Sequence, residues 1–459
     1  MKADAALAED REVLPRDLHF LGHPLGLAYL AFTEAFERFS FYGMQVLLVL
    51  YMVDQLLRPG HIEHILGFSG VRAALETVYG PLSTQALSSQ IFGWYTALVY
   101  VTPLLGGYLG DRWLGRRSAV SLGALIMALG NFLMMFETSF VAALGCLVLG
   151  CGLLKGNIAS QVGLLYSDTD PRRADAFQVY VLAINAGVIA APLICGSLGE
   201  EFGWRYGFAA AGAGMLLALC IYLSGYRHLP ADNKRERTDA AVPRTALTSR
   251  EWRAITALLL LLPILAVAFV GNNQIYNVYM IWARDNANLT LFGFRMPVTW
   301  LQSWDAGVGT AGLALGVWFW RRMAKRGIAP HELTKLLLGC ATSVAGFVIL
   351  ALAAYLSAHT AAKIALPWLL AFHIVNTLGY INILPVALAL FSRASPPSVN
   401  ATMIGIFYLL FFGANVLVGW IGSFYQLMDH TSFWMLHAGL CAASTLAILV
   451  LYRPLRAAL

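Results

Sequence analysis

The sequence predicts an all-α membrane protein, with twelve transmembrane helices arranged as two six-helix bundles and one amphipathic helix lying between the first two spans. Three observations carry this expectation. Of the 459 residues, 59% are hydrophobic and only 12% are charged, about half the ~25% charged share of soluble domains. The apolar residues gather in runs of helix length separated by short charged connections, and the mean hydropathy of the chain is +0.66. The most polar stretch falls at the middle of the chain. A soluble fold of this size could not hide so much apolar surface, which excludes a soluble enzyme, and a disordered scaffold would not carry it.

At ~20 residues per span, the candidate helices lie near 24–54, 82–109, 117–137, 139–166, 173–199, 205–227, 252–283, 300–320, 332–357, 364–392, 397–427 and 431–452. Several exceed what a perpendicular helix needs, so tilted or extended helices are expected. Pro103, Pro192, Pro263 and Pro385 fall inside these runs, which a membrane bundle tolerates because neighbours can satisfy the freed backbone groups. Residues 58–80 alternate apolar residues with His61, Glu63, His64, Arg72 and Glu76, the pattern of a helix lying along the membrane surface. Residues 229–250, LPADNKRERTDAAVPRTALTSR, read as a linker between an N-terminal bundle over 24–228 and a C-terminal bundle over 251–459.

Orientation follows from the loop cations. After spans 2, 4, 6, 8 and 10 come Arg112, Arg116 and Arg117; Arg172 and Arg173; Lys234, Arg235, Arg237, Arg244 and Arg250; Arg321, Arg322, Lys325 and Arg326; and Arg393. The opposite side holds only Arg58, Arg72, Arg205, Arg284, Arg295 and Lys363. Both termini are therefore expected on the cytoplasmic side, as an even span count requires, with the protein in the plasma membrane (the inner membrane of a bacterium). The net charge of +6 is accounted for by these connections and gives no reason to expect nucleic acid as a partner. Residues 1–23 carry Asp4, Glu9, Asp10, Arg11, Glu12 and Arg16 before any long apolar run, unlike a cleavable signal peptide. The six cysteines, Cys146, Cys151, Cys195, Cys220, Cys340 and Cys441, sit inside apolar runs without a CxxC pair, so neither a metal nor a redox role follows from them.

Span 1 reads AFTEAFERFSFYGMQVLLVLYM and holds Glu34, Glu37 and Arg38 far from either end. Each such charge costs roughly 2.5 to 3.5 kcal/mol at a helix centre. The three share one face through i,i+3 and i,i+4 spacing, and Lys155 in span 4 supplies a second cation. Two readings stand: a proton relay in which Arg38 or Lys155 competes with H⁺ for a carboxylate, or a static network of buried ion pairs. Burying four charges for stability alone is seldom favourable.

The loop GGYLGDRWLGRR, Gly106 to Arg117, has the GxLxDRxGRR form of the major facilitator superfamily, and span 8 ends in the weaker echo FWRRMAKRG, as a duplicated bundle would. ExxER followed by FSFYG resembles the first-helix motif of the proton-dependent oligopeptide transporters of that superfamily. The resemblance continues through VYVTPLLGGYLGDRWLGRR, GLLKGNIASQVGLLY, DAFQVYVLAINAGVIAAPLICG, WARDN and WLQSWD. It implies that Glu34, Glu37, Arg38 and Lys155 couple protons to substrate, with Arg38 and Lys155 meeting the peptide carboxylate. It implies further that Tyr42, Tyr100 and Asn185 line the peptide cavity and that Asp111, Arg112 and Arg116 form a gating loop.

The chain departs from the family's pattern where a peptide amine would be held. Asn273 and Tyr380 stand where spans 7 and 10 usually carry acids, Gln45 where a basic residue follows the first-helix motif, and Phe407 where Trp is usual. A cavity that takes an ammonium from water must supply a negative charge or strong acceptors, and Asn273, Gln274, Asn382 and Tyr380 supply only neutral dipoles. Asp305, at the start of span 8, is a substitute acid or a helix N-cap. His373 in span 10 is a titratable group or a hydrogen-bonded core residue. No HExxH, GxSxG, phosphate-binding loop or dinucleotide fingerprint occurs in a fitting context, so no enzyme is expected.

The resulting expectation is a monomeric, proton-coupled symporter that imports di- or tripeptides or peptide-like solutes by alternating access, with no cofactor beyond the coupling proton. A first-helix Glu would carry that proton, since the acid of span 7 is missing. The alternative keeps fold and coupling but takes a carboxylated, non-peptide or amine-blocked solute. A sensor that binds without transporting is a third reading, disfavoured by the lack of an appended signalling domain.

Overall fold

The computed structural model describes residues 20–167, 169–231 and 247–459. The segment before residue 20 and most of the 229–250 linker, including Lys234, Arg235, Arg237 and Arg244, lie outside the described residues. The helices are α1 (Leu25–Tyr51), α2 (Phe68–Tyr79), α3 (Thr84–Leu109), α4 (Arg116–Leu133), α5 (Phe140–Leu164), α6 (Arg172–Ala191) and α7 (Trp204–Ser224) in the first half. In the second half follow α8 (Ser249–Gln274), α9 (Val278–Asn286), α10 (Trp300–Lys325), α11 (Glu332–Thr360), α12 (Leu366–Ala394), α13 (Asn400–Gly422), α14 (His430–Val450) and α15 (Tyr452–Ala458). Among the described residues, nine helical stretches are long and apolar enough to cross a membrane. Three more long helices, α3, α4 and α10, complete the twelve. They are more polar because α3 opens TQALSSQ, α4 opens with two arginines and α10 ends RRMAK.

The packing shows the duplication that the sequence only hints at. In the first half α1 packs on α6 and α7, α3 on α5, and α4 on α5 and α7. In the second half α8 packs on α13 and α14, α10 on α12, and α11 on α12 and α14. These are the same pairings six spans later. The halves meet along two seams, α3 with α13 and α6 with α10, which the same relation interchanges. This is the two-bundle architecture of a rocking transporter. Gly93 makes the first seam possible: a Cβ there would lie 2.7 Å from the Asn415 carbonyl oxygen and 2.7 Å from the Cα of Gly419.

Three details differ from the sequence reading. The run expected as one span over 252–283 breaks at 275–277 into α8 and α9, because the polar GNNQIYN segment interrupts an otherwise apolar stretch. Between α9 and α10, Thr290–Leu291 and Phe294–Arg295 form a small antiparallel hairpin around Phe292 and Gly293, both with positive φ. Ahead of it, Ala287–Asn288 pairs in parallel with Ile364–Ala365. The surface segment 58–80 is helical over α2, and its ties are to the first half: the Leu66 N–H donates to Thr138 O at 3.0 Å and Trp94 Nε1 donates to Tyr79 Oη at 3.2 Å.

Among the described residues, the hydrogen bonds joining the halves gather toward the face opposite the chain ends. Glu200 accepts from the backbone N–H groups of Val298 and Thr299, each at 3.0 Å, and from the Thr299 hydroxyl at 2.7 Å. Trp300 Nε1 donates to Ser197 Oγ at 2.8 Å and Ser303 Oγ to Ile189 O at 2.7 Å. Arg284 pairs with Asp54. Ser89 Oγ donates to Asn277 Oδ1 at 3.1 Å and Gln85 Nε2 to Gly422 O at 3.1 Å. The molecule is thus drawn together at that face.

Candidate functional site

A cavity of about 260 Å³ lies between the halves, lined from the first by Tyr42, Gln45, Tyr100 and Asn185 and from the second by Asn272, Asn273, Tyr276, Asp305, Thr377 and Tyr380. Aromatic contacts across the halves bound it: Tyr42 meets Tyr276 at 5.9 Å between ring centroids, and Tyr100 stacks on Phe411 at 4.8 Å. Asn273 Nδ2 donates to Asn415 Oδ1 at 3.3 Å and Asn376 Nδ2 to Asn272 Oδ1 at 3.2 Å, so the amides of this wall are cross-linked in pairs.

The charged cluster of α1 lies one turn from Tyr42. Glu34 and Glu37 are buried, at 1% and 0% exposure, while Arg38 keeps 18%. Arg38 Nη2 donates to Glu34 Oε1 at 2.5 Å, and its Nε lies 3.2 Å from Glu37 Oε2. Both oxygens of Glu37 and the second oxygen of Glu34 are buried without a hydrogen-bond partner among the described residues. A buried ionised carboxylate demands donors, so Glu37 is placed to take a proton. Lys155 sits 3.7 Å from the Phe41 ring centroid and 6.0 Å from that of Tyr100. It makes no ion pair within 4 Å among the described residues. Of the two cations that the sequence offers as competitors of the proton, Arg38 occupies the carboxylates, while Lys155 rests on an aromatic face, a cation–π contact.

In the second half Asp305 falls in the second turn of α10, with Thr299 at the N-cap position, so the helix-cap reading does not hold. Its Oδ1 accepts from Thr377 Oγ1 at 2.8 Å and is bonded to His373 Nδ1 at 2.9 Å, and His373 Nε2 meets Tyr279 Oη at 2.8 Å.

The remaining expected residues scatter. Gln274 is wholly buried, with both amide atoms lacking a hydrogen-bond partner among the described residues, outside the cavity lining. Phe407 is fully buried against Phe391 and Tyr408, in the core of the second half. Asp111 and Arg116 pair at 2.7 Å, and Arg112 donates to Tyr108 Oη at 2.7 Å, at the end of α3 on the side of the chain ends. Asn272, Tyr276, Thr377 and Asn415 were not singled out from the sequence. A polar residue inside an apolar run is their signal.

Comparison with known proteins bears on this cavity. The family model described as the POT family matches residues 117–249 and 234–435. The uncharacterized transporter YclF of Bacillus subtilis is 26% identical over 90% of this chain and 91% of its own length. The peptide transporter YePEPT of Yersinia enterocolitica is 26% identical over 88% of each. A crystal structure of a peptide transporter POT in complex with sulfate superposes with a TM-score of 0.82 at 23% identity, covering 96% of both chains. The chain belongs to the POT family and is a multi-pass membrane protein of the major facilitator fold.

Proposed function

We propose that this protein is a proton-coupled symporter that imports di- or tripeptides or closely related solutes by alternating access about the cavity between its halves. The observation that carries this reading is the buried Glu34–Glu37–Arg38 cluster, in which the Glu37 carboxylate is paired with Arg38 and takes no hydrogen bond among the described residues. Charge arithmetic gives the coupling. With both carboxylates ionised, Glu34 and Glu37 balance Arg38 and Lys155. A proton on Glu37 leaves one positive charge in excess, and a substrate carboxylate is the partner that neutralises it. Proton and substrate then bind cooperatively, which is what symport requires. The closure at the face opposite the termini supports a cavity that communicates with the other side.

The positive-inside distribution of the cations places both termini in the cytoplasm and the chain in the plasma membrane, where it functions as a monomer. The proton is the coupling ion and no cofactor takes part, nor is a covalent reaction needed. An inward gradient supplies ~2.3 kcal/mol per charge per 100 mV and ~1.4 kcal/mol per pH unit, ample for accumulation. Relatives of this length carry the description peptide transporter, which favours a peptide cargo. The neutral Asn273 and Tyr380 favour instead a carboxylated solute without a free amine.

Uptake by the purified chain in sealed vesicles tests the proposal. Dipeptide accumulation should require an inward proton gradient and collapse with a protonophore. Accumulation indifferent to both overturns it.

A further inference from the structure

We propose that the groove beneath α2 binds one acyl chain of a phospholipid, taken from the leaflet on the side away from the chain ends. The inference needs only the membrane-spanning fold, goes beyond the transport reading and does not depend on it. The groove has a volume of about 360 Å³ and lies on the flank of the first half, sharing no residue with the cavity between the halves. Phe68, Val71 and Leu75, on one face of α2, form its roof, while α3 walls it from Ile91 to Leu98 and α5 from Phe140 to Leu149. Among the described residues, no charged, amide, serine or threonine side chain lines it. The Trp94 indole on its wall donates its N–H to Tyr79 Oη at 3.2 Å, so it offers the groove only its ring.

Its length, its surroundings and the charge at its rim point to a lipid tail. From Phe140 to Leu149 α5 follows the groove for ~13 Å at ~1.5 Å per residue. That is close to half of a ~30 Å hydrocarbon core, the depth of one leaflet. Water gains nothing in such a place, since apolar cavities stay dry, and an unfilled groove forfeits dispersion contacts along its whole lining. Leu98 and Leu149 are exposed at its edge, which makes it continuous with the surface that faces hydrocarbon and lets a chain enter sideways. Gly145 opens the floor: a Cβ built there meets no atom within 4 Å. At the rim, next to Val71, the exposed Arg72 donates its Nε to Glu76 at 3.0 Å. Its remaining guanidinium N–H groups take no partner among the described residues, a match for a lipid phosphate rather than for an uncharged headgroup. A tail held there touches three helices at once.

Photolabelling of the intact chain in phosphatidylcholine vesicles tests the site, the probe being a phosphatidylcholine with a diazirine halfway along one tail. Label mapped by mass spectrometry should be enriched roughly three- to tenfold at 91–98 and 140–149 over 430–439 of α14, a stretch at similar depth in the other half. Gly145→Leu places a side chain in the open floor and should bring the groove down to the level of α14. Gly439→Leu, an equal addition at a position where a Cβ also meets nothing within 4 Å, should leave labelling of the groove unchanged. Labelling that is even over both stretches, or that Gly145→Leu leaves intact, overturns the proposal. If Gly145→Leu fails to fold, the wild-type map alone decides. A free fatty acid bearing the same diazirine is the second arm, and groove enrichment equal to or above that of the phospholipid overturns the phospholipid as the occupant.

Discussion

The carboxylate of Glu200 accepts from both the backbone N–H and the hydroxyl of Thr299, at 3.0 and 2.7 Å, tying the end of one half's fifth span to the start of the other half's second. Hydrogen bonds to a charged group are worth about 1.5 to 3 kcal/mol each, and ~1.4 kcal/mol moves a two-state population tenfold. Glu200→Ala should therefore open the face opposite the termini in a measurable fraction of molecules. Spin labels on Glu201→Cys and Arg295→Cys, one in each half, should show a new long-distance population. An unchanged distance distribution would count against the role of this clasp.

Glu37 is fully buried, paired with Arg38, and neither of its oxygens is hydrogen-bonded among the described residues. Glu37→Gln should abolish proton-driven accumulation while sparing exchange of substrate across the membrane without a gradient. Accumulation that survives in both Glu37→Gln and Glu34→Gln would remove the first-helix carboxylates from the coupling scheme.

Lys155 rests on Phe41 rather than in an ion pair. Lys155→Met should weaken free and N-acetylated dipeptides alike, by roughly 10- to 100-fold, because both present the same carboxylate. A loss confined to the free dipeptide would place Lys155 at the wrong end of the cargo.

The α3–α13 seam has no room for a side chain at Gly93. Gly93→Val should lower stability by about 1 to 3 kcal/mol, the usual cost of overpacking, and its melting curve is the measurement. A variant as stable as the parent would show that this seam is loose.

Outside the membrane spans, the Arg172 guanidinium and its backbone N–H hold the Asp170 carboxyl below its ordinary range. A carboxyl held low in the folded state contributes stability that is fully present above its unfolded value of ~3.9 and is lost as pH falls through the folded value. Acid titration of the melting temperature should therefore be shallower in Asp170→Asn than in the parent over that window, and identical slopes would refute the assignment.

The spans and halves were legible because hydrocarbon imposes a length and a polarity on every helix, and Glu34, Glu37, Arg38 and Lys155 stood out against it. The break between α8 and α9 was not legible, since the polar segment Asn272 to Asn277 sits inside a long apolar run that reads as one continuous span. Nor was the partner of Asp305. His373 lies 68 positions away, and only the packing of α10 on α12 brings the two together. Phe407 shows the converse, a residue whose place in a motif suggested the cavity although tertiary packing turns it into the core.

The segment around α2 is fastened through Thr138, Trp94 and, by His61 at 2.8 Å, Glu137, all in the first half. It should travel as an outrigger of that half, without sharing in the hinge. Its exposed Leu66 and Val78 then offer a handle. A fluorophore or nanobody anchored there would follow one bundle as a rigid reference frame, and the motion of the other could be read against it without touching the substrate path.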